Sequence, residues 1–390
     1  MYNILVRESG RKGETMHYLD NSATTPVLPE AAEAAVHAMR EAFGNPSSQH
    51  RLGNRAAAML KESRACVAQA MGAQPGEVYF NSGGTEGINT AVFGVCRKNF
   101  RRGKHIITTA VEHSATLNSL KKLEGEGFSV TRLQPDVDGH IPLGRLEEAL
   151  REDTILLTCM LVNNEVGACM PVGEMGRLLK RRCPHALFHI DAVQGFFRVP
   201  LTPAKWGCDL MSVSGHKVGA PKGIGAFYMK KGVALPPLLY GGGQENGFRP
   251  GTEPMPNIAA LAAACRVRAA AFAGDCEHVR GLCAYLKAQV AEAFPWAVQN
   301  GVNDVPHVVS LSFPGCKSEV MLRILEQEEV YVSAGSACAK GHESHVLRAM
   351  GLPKERIDSA LRVSFAPHNT RADVDAFIAA ARKGAAMLRR

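Results

Sequence analysis

Asp209-Leu210-Met211-Ser212-Val213-Ser214-Gly215-His216-Lys217 is a short apolar run closed by a polar tetrapeptide, and the small basic loop Pro221-Lys222-Gly223-Ile224-Gly225 follows it. The pattern predicts a buried strand that delivers a lysine at its polar end. A buried ammonium costs several kcal/mol unless it is paired or neutralised. The same penalty lowers the lysine pKa and favours the neutral amine that a Schiff base requires. For Lys217 taken alone, a side chain whose head reaches solvent is the competing reading. The other strand ends decide between the two.

Apolar runs of the same kind recur at Val78–Phe80, His105–Ala110, Ser129–Leu133, Thr154–Val162, Leu187–Ile190 and Gly225–Met229. Helical segments separate or precede them, among them 29–43, about 51–71 and about 87–97. Continuous apolar strands alternating with helices predict an α/β fold with a mainly parallel, doubly wound sheet covered on both faces. Polar clusters fall where strands run out: Asn81-Ser82-Gly83-Gly84-Thr85-Glu86, Glu112-His113, Asn163-Asn164-Glu165, Asp191, and Ser214 to Lys217. In open α/β sheets that carboxyl edge is where ligands bind, so the pattern reads as one site assembled from five loops.

Beyond Tyr240 the glycine-rich stretch Gly241-Gly242-Gly243-Gln244-Glu245-Asn246-Gly247-Phe248-Arg249-Pro250-Gly251-Thr252 marks a domain boundary or a partner-contacting loop. Two alanine-rich helical runs (Asn257–Ala273 and Asp275–Phe294), short strands at Val308–Phe313, Val330–Ser333 and Ala360–Ser364, and an amphipathic helix from Thr370 read as a smaller α+β domain. The expected division is a leader over 1–15, a large domain over 16–255 and a small domain over 256–390. Residues 16–30 would form an arm near the small domain, with Tyr18–Pro26 a small-polar loop. Met16 stands directly before the first strong pattern and is the alternative start, and the leader over 1–15 reads as an arm or a poorly ordered extension.

The chain has 390 residues, 46% hydrophobic and 21% charged, with a formal net charge of +8. Length favours two domains, and the scattered basic residues form no nucleic-acid stripe. Eleven cysteines without a CxxC, most in apolar runs, suit a reducing cytosol rather than a disulfide scaffold. No apolar stretch approaches the roughly 20 residues of a membrane span, so a cytoplasmic protein is expected.

Several residues carry candidate chemistry. Gly84 and Thr85 lie in a strand-to-helix turn whose free N–H groups suit a phosphate, and an ordinary capped turn is the alternative. Asp191 closes a buried strand and needs a cation, for which a protonated pyridine nitrogen would serve; a helix N-cap is the alternative. His113 could stack on a ring or act as acid or base, Asn164 could donate to a phenolic oxygen, and Ser214 and His216 could help hold a phosphate. Plain capping of strand ends is the alternative for these. Cys338, in Ser333-Ala334-Gly335-Ser336-Ala337-Cys338-Ala339-Lys340-Gly341, sits among small residues with Lys340, His342 and His345 nearby, which favours an exposed thiolate. An unreactive exposed cysteine competes, as does a metal site from Cys338, His342 and His345, though that spacing is not a standard one. Arg362 in Ser359-Ala360-Leu361-Arg362-Val363-Ser364 offers a planar fork for a carboxylate, or a structural ion pair.

Taken in order, YLDNSATTP, NPSS, NSGGTEGIN, the Glu-His pair, VNNEVG, HIDAVQ, SGHKVGAPKGIGA, GGGQENGFRPGT, GSAC and SALRVS resemble the cysteine desulfurases of the class V aminotransferase superfamily, the NifS/IscS-like branch. The resemblance runs from Tyr18 to the C-terminus and implies pyridoxal 5'-phosphate on fold type I. It implies that Lys217 binds the cofactor and moves the Cα proton, Asp191 holds the ring nitrogen, and His113 stacks on the ring. Asn164 and Gln194 would contact the phenolic oxygen, and Gly84, Thr85, Ser214 and His216 the phosphate. Thr252 would reach the neighbouring subunit's phosphate in a homodimer. Arg362, with Asn164, would bind the substrate carboxylate. Cys338 would take sulfur from L-cysteine as a persulfide, leaving L-alanine.

Implied too are a sulfur-acceptor protein, for iron–sulfur cluster assembly or for tRNA or cofactor thiolation, and no resident metal, beyond transient iron–sulfur ligation by the Cys338 persulfide. No direct nucleic-acid or membrane partner is implied. Between Cys338 and Val346 this chain reads AKGHESH, shorter than the Ser/Leu/Glu/Pro-containing loop of housekeeping members, which leaves the acceptor open. A related lyase or aminotransferase of the same class, such as a selenocysteine lyase, and a non-catalytic sulfur-transfer scaffold are the alternative readings.

Overall fold

The computed structural model describes residues 15–335 and 343–389. The leader expectation for residues 1–14 and the Cys338 loop therefore lie outside the described residues. The strands in chain order are β1 (His17–Tyr18), β2 (Val78–Asn81), β3 (His105–Thr109), β4 (Ser129–Leu133), β5 (Thr154–Met160), β6 (Leu187–Asp191), β7 (Leu210–Ser214), β8 (Gly225–Met229), β9 (Val298–Asn300), β10 (Val308–Ser312), β11 (Val330–Tyr331) and β12 (Ala360–Ser364).

Seven strands form the main sheet in the order β2-β8-β7-β6-β5-β3-β4. β4, β3, β5, β6 and β7 pair in parallel, and β8 runs antiparallel to both β7 and β2. The mainly parallel sheet expected from the apolar runs is thus present, with GAFYM as its one reversed strand. β3, β5, β7 and β8 are buried throughout, as strands covered by helices on both faces must be. The register sets Met160 beside Asp191 and Asp191 beside Ser212, so the ends of β5 and β6 are level and β7 runs two residues further at the same edge.

β12-β10-β9 form a separate antiparallel sheet with its own core of Phe294, Phe313, Phe365 and Phe377. The two helical runs expected over 257–294 are one helix, Met255–Ala293. Its first turns, with Ile258, Leu261 and Cys265, belong to the core of the large sheet. Its later turns, with Val279, Leu286 and Val290, belong to the core of the small one. Gly274 lies between them and is exposed, and a Cβ there would meet nothing. Burial at both ends outweighs the roughly 1 kcal/mol helix penalty of one glycine.

The expected loop at 18–26 begins as a strand: β1 pairs in parallel with β11. Asp20 then bridges to Ser364, and the main chain of Ser22 donates to Ser364 Oγ at 2.8 Å. This arm joins the small sheet to the end of β7.

The glycine-rich stretch is pinned from below. Glu245, 6% exposed and at φ 50°, receives Arg64 Nη1 at 2.7 Å, Arg64 Nη2 at 2.5 Å and the Phe80 main-chain N–H at 2.9 Å. Removing one partner of a buried pair leaves an uncompensated charge. Arg64→Met is expected to lower unfolding stability by about 3–5 kcal/mol, read from the urea midpoint. Lys354→Ala, at the exposed Lys354–Asp358 pair, is expected to change it by less than about 0.5 kcal/mol. Equal effects would contradict this anchoring.

Candidate active site

A cavity of about 270 Å³ opens at the carboxyl edge of the main sheet. Its lining includes Gly84, Thr85, His113, Asn164, Asp191, Gln194, Ser214, His216, Lys217 and Arg362. Every expected site residue within the described residues lines it except Thr252, which is exposed on the segment before the long helix. Cys338 lies outside the described residues, so its expected role is not placed. For the alternative metal set, Cys338 and His342 share that position, while His345 Nε2 donates to the Glu112 main-chain carbonyl at 3.0 Å. Among the described residues no group of three His, Cys, Asp or Glu side chains could hold a metal.

Each side chain owes its place to a strand end. Lys217 follows β7 by one turn, and Nζ donates to the carbonyls of Ser22 and Ala23 at 2.6 and 2.8 Å. Asp191 closes β6, 5% exposed, and Oδ1 accepts from the Val193 N–H at 2.9 Å. Burial pushes its carboxyl up, while the Val193 N–H and the charge of Lys217 pull the other way. His113 caps the helix Ser114–Glu124, and Nδ1 accepts from the Ala115 N–H at 3.1 Å. Burial pushes its pKa down, leaving a neutral ring with its proton on Nε2. Arg362 on β12 is 2% exposed; it donates to Asp20 Oδ1 at 2.8 Å and to the Asn164 carbonyl at 3.0 Å.

The turn after β2 is built for close approach. Gly83 adopts φ 141°, a conformation that favours glycine, and a Cβ on Gly84 would stand 2.7 Å from Val193 Cγ2. The helix Gly84–Asn99 starts there, and its first-turn N–H groups have no partner within the helix. Glu86 fixes the turn by accepting from the Ser82 N–H at 2.9 Å and from Arg249 Nε at 2.9 Å.

Residues 17–377 match the aminotransferase class-V family. The cysteine desulfurase IscS of Methanosarcina thermophila is 40% identical over 365 residues, which cover 92% of this chain and 89% of that protein. A cysteine desulfurase of Trichormus azollae is 39% identical over 365 residues, covering 93% and 90%. The chain belongs to the class V aminotransferase family, among its cysteine desulfurases. Of solved structures, a NifS-like protein matches with a TM-score of 0.91 at 34% identity, covering 96% of this chain and all of the other. SspA in complex with cysteine matches with a TM-score of 0.79 at 32% identity, covering 91% and 100%.

The residues present fit the pyridoxal phosphate that this family implies. A buried carboxylate calls for a cation, and a protonated pyridine nitrogen supplies one to Asp191. The glycine turn with its unpaired helix N–H groups suits the phosphate. An amine, Lys217, lines the same cavity.

Sequence reasoning quoted Asp20, Ser22 and Ala23 within a motif without assigning them a part; they hold Arg362 and Lys217. Glu112, quoted beside His113 at a strand end, was likewise given no part. An acid just past an apolar strand was the available signal. Glu112 is fully buried. Its Oε1 accepts from Thr109 Oγ1 at 2.6 Å and the Met160 N–H at 2.9 Å, and Oε2 has no partner among the described residues. Burial pushes its pKa up to about 8 from an ordinary 4.5.

The native chain therefore keeps a proton that the unfolded chain releases. The contribution of Glu112 to stability is fully present below about pH 4.5 and is lost as pH rises toward 8, by up to about 1.4 kcal/mol per pH unit. Glu112→Gln does not titrate, so its stability relative to wild type, both free of cofactor, is expected to climb across that window. Parallel stability curves from pH 5 to 8 would show Glu112 to be ionised in the native chain.

Proposed function

We propose that this chain is a pyridoxal-phosphate-dependent cysteine desulfurase that takes sulfur from L-cysteine, releases L-alanine and passes the sulfur onward through Cys338. One observation carries the reading: an amine, a buried carboxylate, a glycine-lined helix N-terminus and a buried guanidinium converge on one cavity. Bound there, pyridoxal phosphate supplies an electron sink for the carbanion that forms at the substrate Cα.

The chain's own residues do the rest. Thr85, Ser214, His216 and the main chain at Gly84 hold the phosphate. Asp191 keeps the ring nitrogen protonated, His113 lies against the ring, and Asn164 and Gln194 hold the phenolic oxygen. Lys217 would hold the cofactor through its amine and would take the proton from the substrate Cα and return it. Arg362 holds the substrate carboxylate, with its fork steadied by Asp20 and by the Asn164 carbonyl.

Cys338 acts as the nucleophile toward sulfur. Its thiolate attacks the substrate sulfur: the S–S bond forms, the C–S bond breaks, and the electron pair stays on carbon, which is protonated to give alanine. The flanks of its segment support this role. A Cβ on Gly335 would lie 3.1 Å from Glu165 Oε2, and Ser344 Oγ donates to the same oxygen at 2.5 Å. Both ends thus stand beside the residue that follows Asn164.

The exposed Thr252 fits contact with a second copy's phosphate in a homodimer. No helix among the described residues is long and apolar enough to cross a membrane, which agrees with a cytoplasmic enzyme that delivers sulfur to a protein acceptor.

With L-cysteine and a thiol reductant, the wild type is expected to yield alanine and sulfide in equal amounts, and Cys338→Ala to yield neither. Undiminished turnover by Cys338→Ala would contradict the role of that thiol. Arg362→Lys replaces a fork with a point charge and is expected to raise KM for cysteine by about 10- to 100-fold. An unchanged KM would remove Arg362 from the substrate site.

A further inference from the structure

Past Asp191 the chain turns sharply, with Phe196 N–H donating to the Ala192 carbonyl and Arg198 N–H to that of Gly195. The turn brings Arg198 back onto Gln194, and its Nη1 donates to Gln194 Oε1. Arg198 is 8% exposed, and among the described residues no carboxylate pairs with it. The charged groups facing it are Arg362 on β12 and Arg268 on the long helix, with His307 ahead of β10 also close by. Burial and these arginines push its pKa down to about 9, which still leaves it charged at neutral pH. A buried cation without a counter-ion is costly, and this one is spent on a single acceptor.

That acceptor faces the active site. Gln194 Oε1 is taken by Arg198, and Nε2 donates to the Ser22 carbonyl at 2.9 Å. The amide is thereby fixed with its N–H₂ end among the cavity-lining groups, one N–H on Ser22 and the second left over.

We propose that Arg198 is a positioning residue for the cofactor: it locks the Gln194 amide as a donor and sets a positive charge behind it, holding the cofactor's phenolic oxygen as an oxyanion. The inference rests on the reading above in which Lys217 carries the cofactor and Gln194 meets that oxygen. Stabilising the oxyanion and placing a cation nearby both weaken proton binding at the nitrogen that joins Lys217 to the cofactor. Asp191, His113, His216, His345 and Arg362 also bear on that nitrogen, directly or through one another, and a change at Arg198 leaves them in place.

The test is a pH titration of the visible absorbance of the cofactor-loaded enzyme, without substrate, for wild type, Arg198→Met and Arg198→Lys. Arg198→Met is expected to raise the midpoint by about one pH unit, and Arg198→Lys, which keeps the charge, to stay close to wild type. Arg198→Met is also expected to weaken cofactor uptake by the empty enzyme about tenfold, which Arg198→Lys restores in part. If Arg198→Met does not fold, Arg198→Gln takes its place in the same comparison. A midpoint that stays put or falls overturns the inference while leaving Lys217 as the cofactor's anchor. A wild type whose visible band does not move with pH overturns this inference, and a cofactor-loaded wild type with no visible band at all overturns the Lys217 reading with it.

Discussion

A carboxylate at the end of a buried strand cannot stand alone. Asp191 is held by one main-chain N–H, and the charge that faces it is that of Lys217, with the His113 ring beside it. The parallel register makes that meeting possible, because it levels Met160, Asp191 and Ser212 across three strands. His189 ties the same strands one layer below, bridging Thr158 Oγ1 at 2.8 Å and Ser212 Oγ at 2.9 Å. Burial holds its pKa at about 3, so it binds as a neutral ring and adds no charge beneath the site. The site is thus a place where a buried carboxylate is built into the edge of the sheet and is answered by a main-chain N–H and by the groups that face it.

The second constraint comes from outside the sheet. The arm over 19–25 takes the Lys217 amine on two carbonyls, the Gln194 amide on one of them, and Arg362 on Asp20. It is stitched to the small sheet through Ser364 and Asn369. Substrate-facing and cofactor-facing groups, drawn from two sheets, are therefore referenced to one short peptide. That economy makes the arm as important to the geometry as the strand ends.

Most of the main sheet was legible because parallel strands buried on both faces read as unbroken apolar runs, and polar residues at their ends mark one edge. Direction was not legible: GAFYM has the same apolar character as its neighbours yet runs antiparallel, since composition carries no orientation. The two-residue strand β1 is too short to leave a periodic trace, and β11 starts at the expected Val330 but ends two residues short of Ser333. The long helix was split at Gly274 because glycine is a local stop signal, whereas its continuity comes from two cores that only the folded chain brings together. The site residues that motif order implied line the cavity wherever they are described, Thr252 excepted. Glu112 was named without a role and Arg198 not at all, because their character is environmental. An acid that keeps its proton and an arginine without a counter-ion are defined by what surrounds them.

The account centres on Lys217 as the covalent anchor at this edge. The most direct measurement is borohydride reduction of the purified yellow protein, followed by peptide mapping. The account predicts the reduced cofactor on the peptide that contains Lys217, and loss of both label and colour in Lys217→Ala. Label on a different lysine, or full retention of the yellow, reducible species in Lys217→Ala, would contradict it.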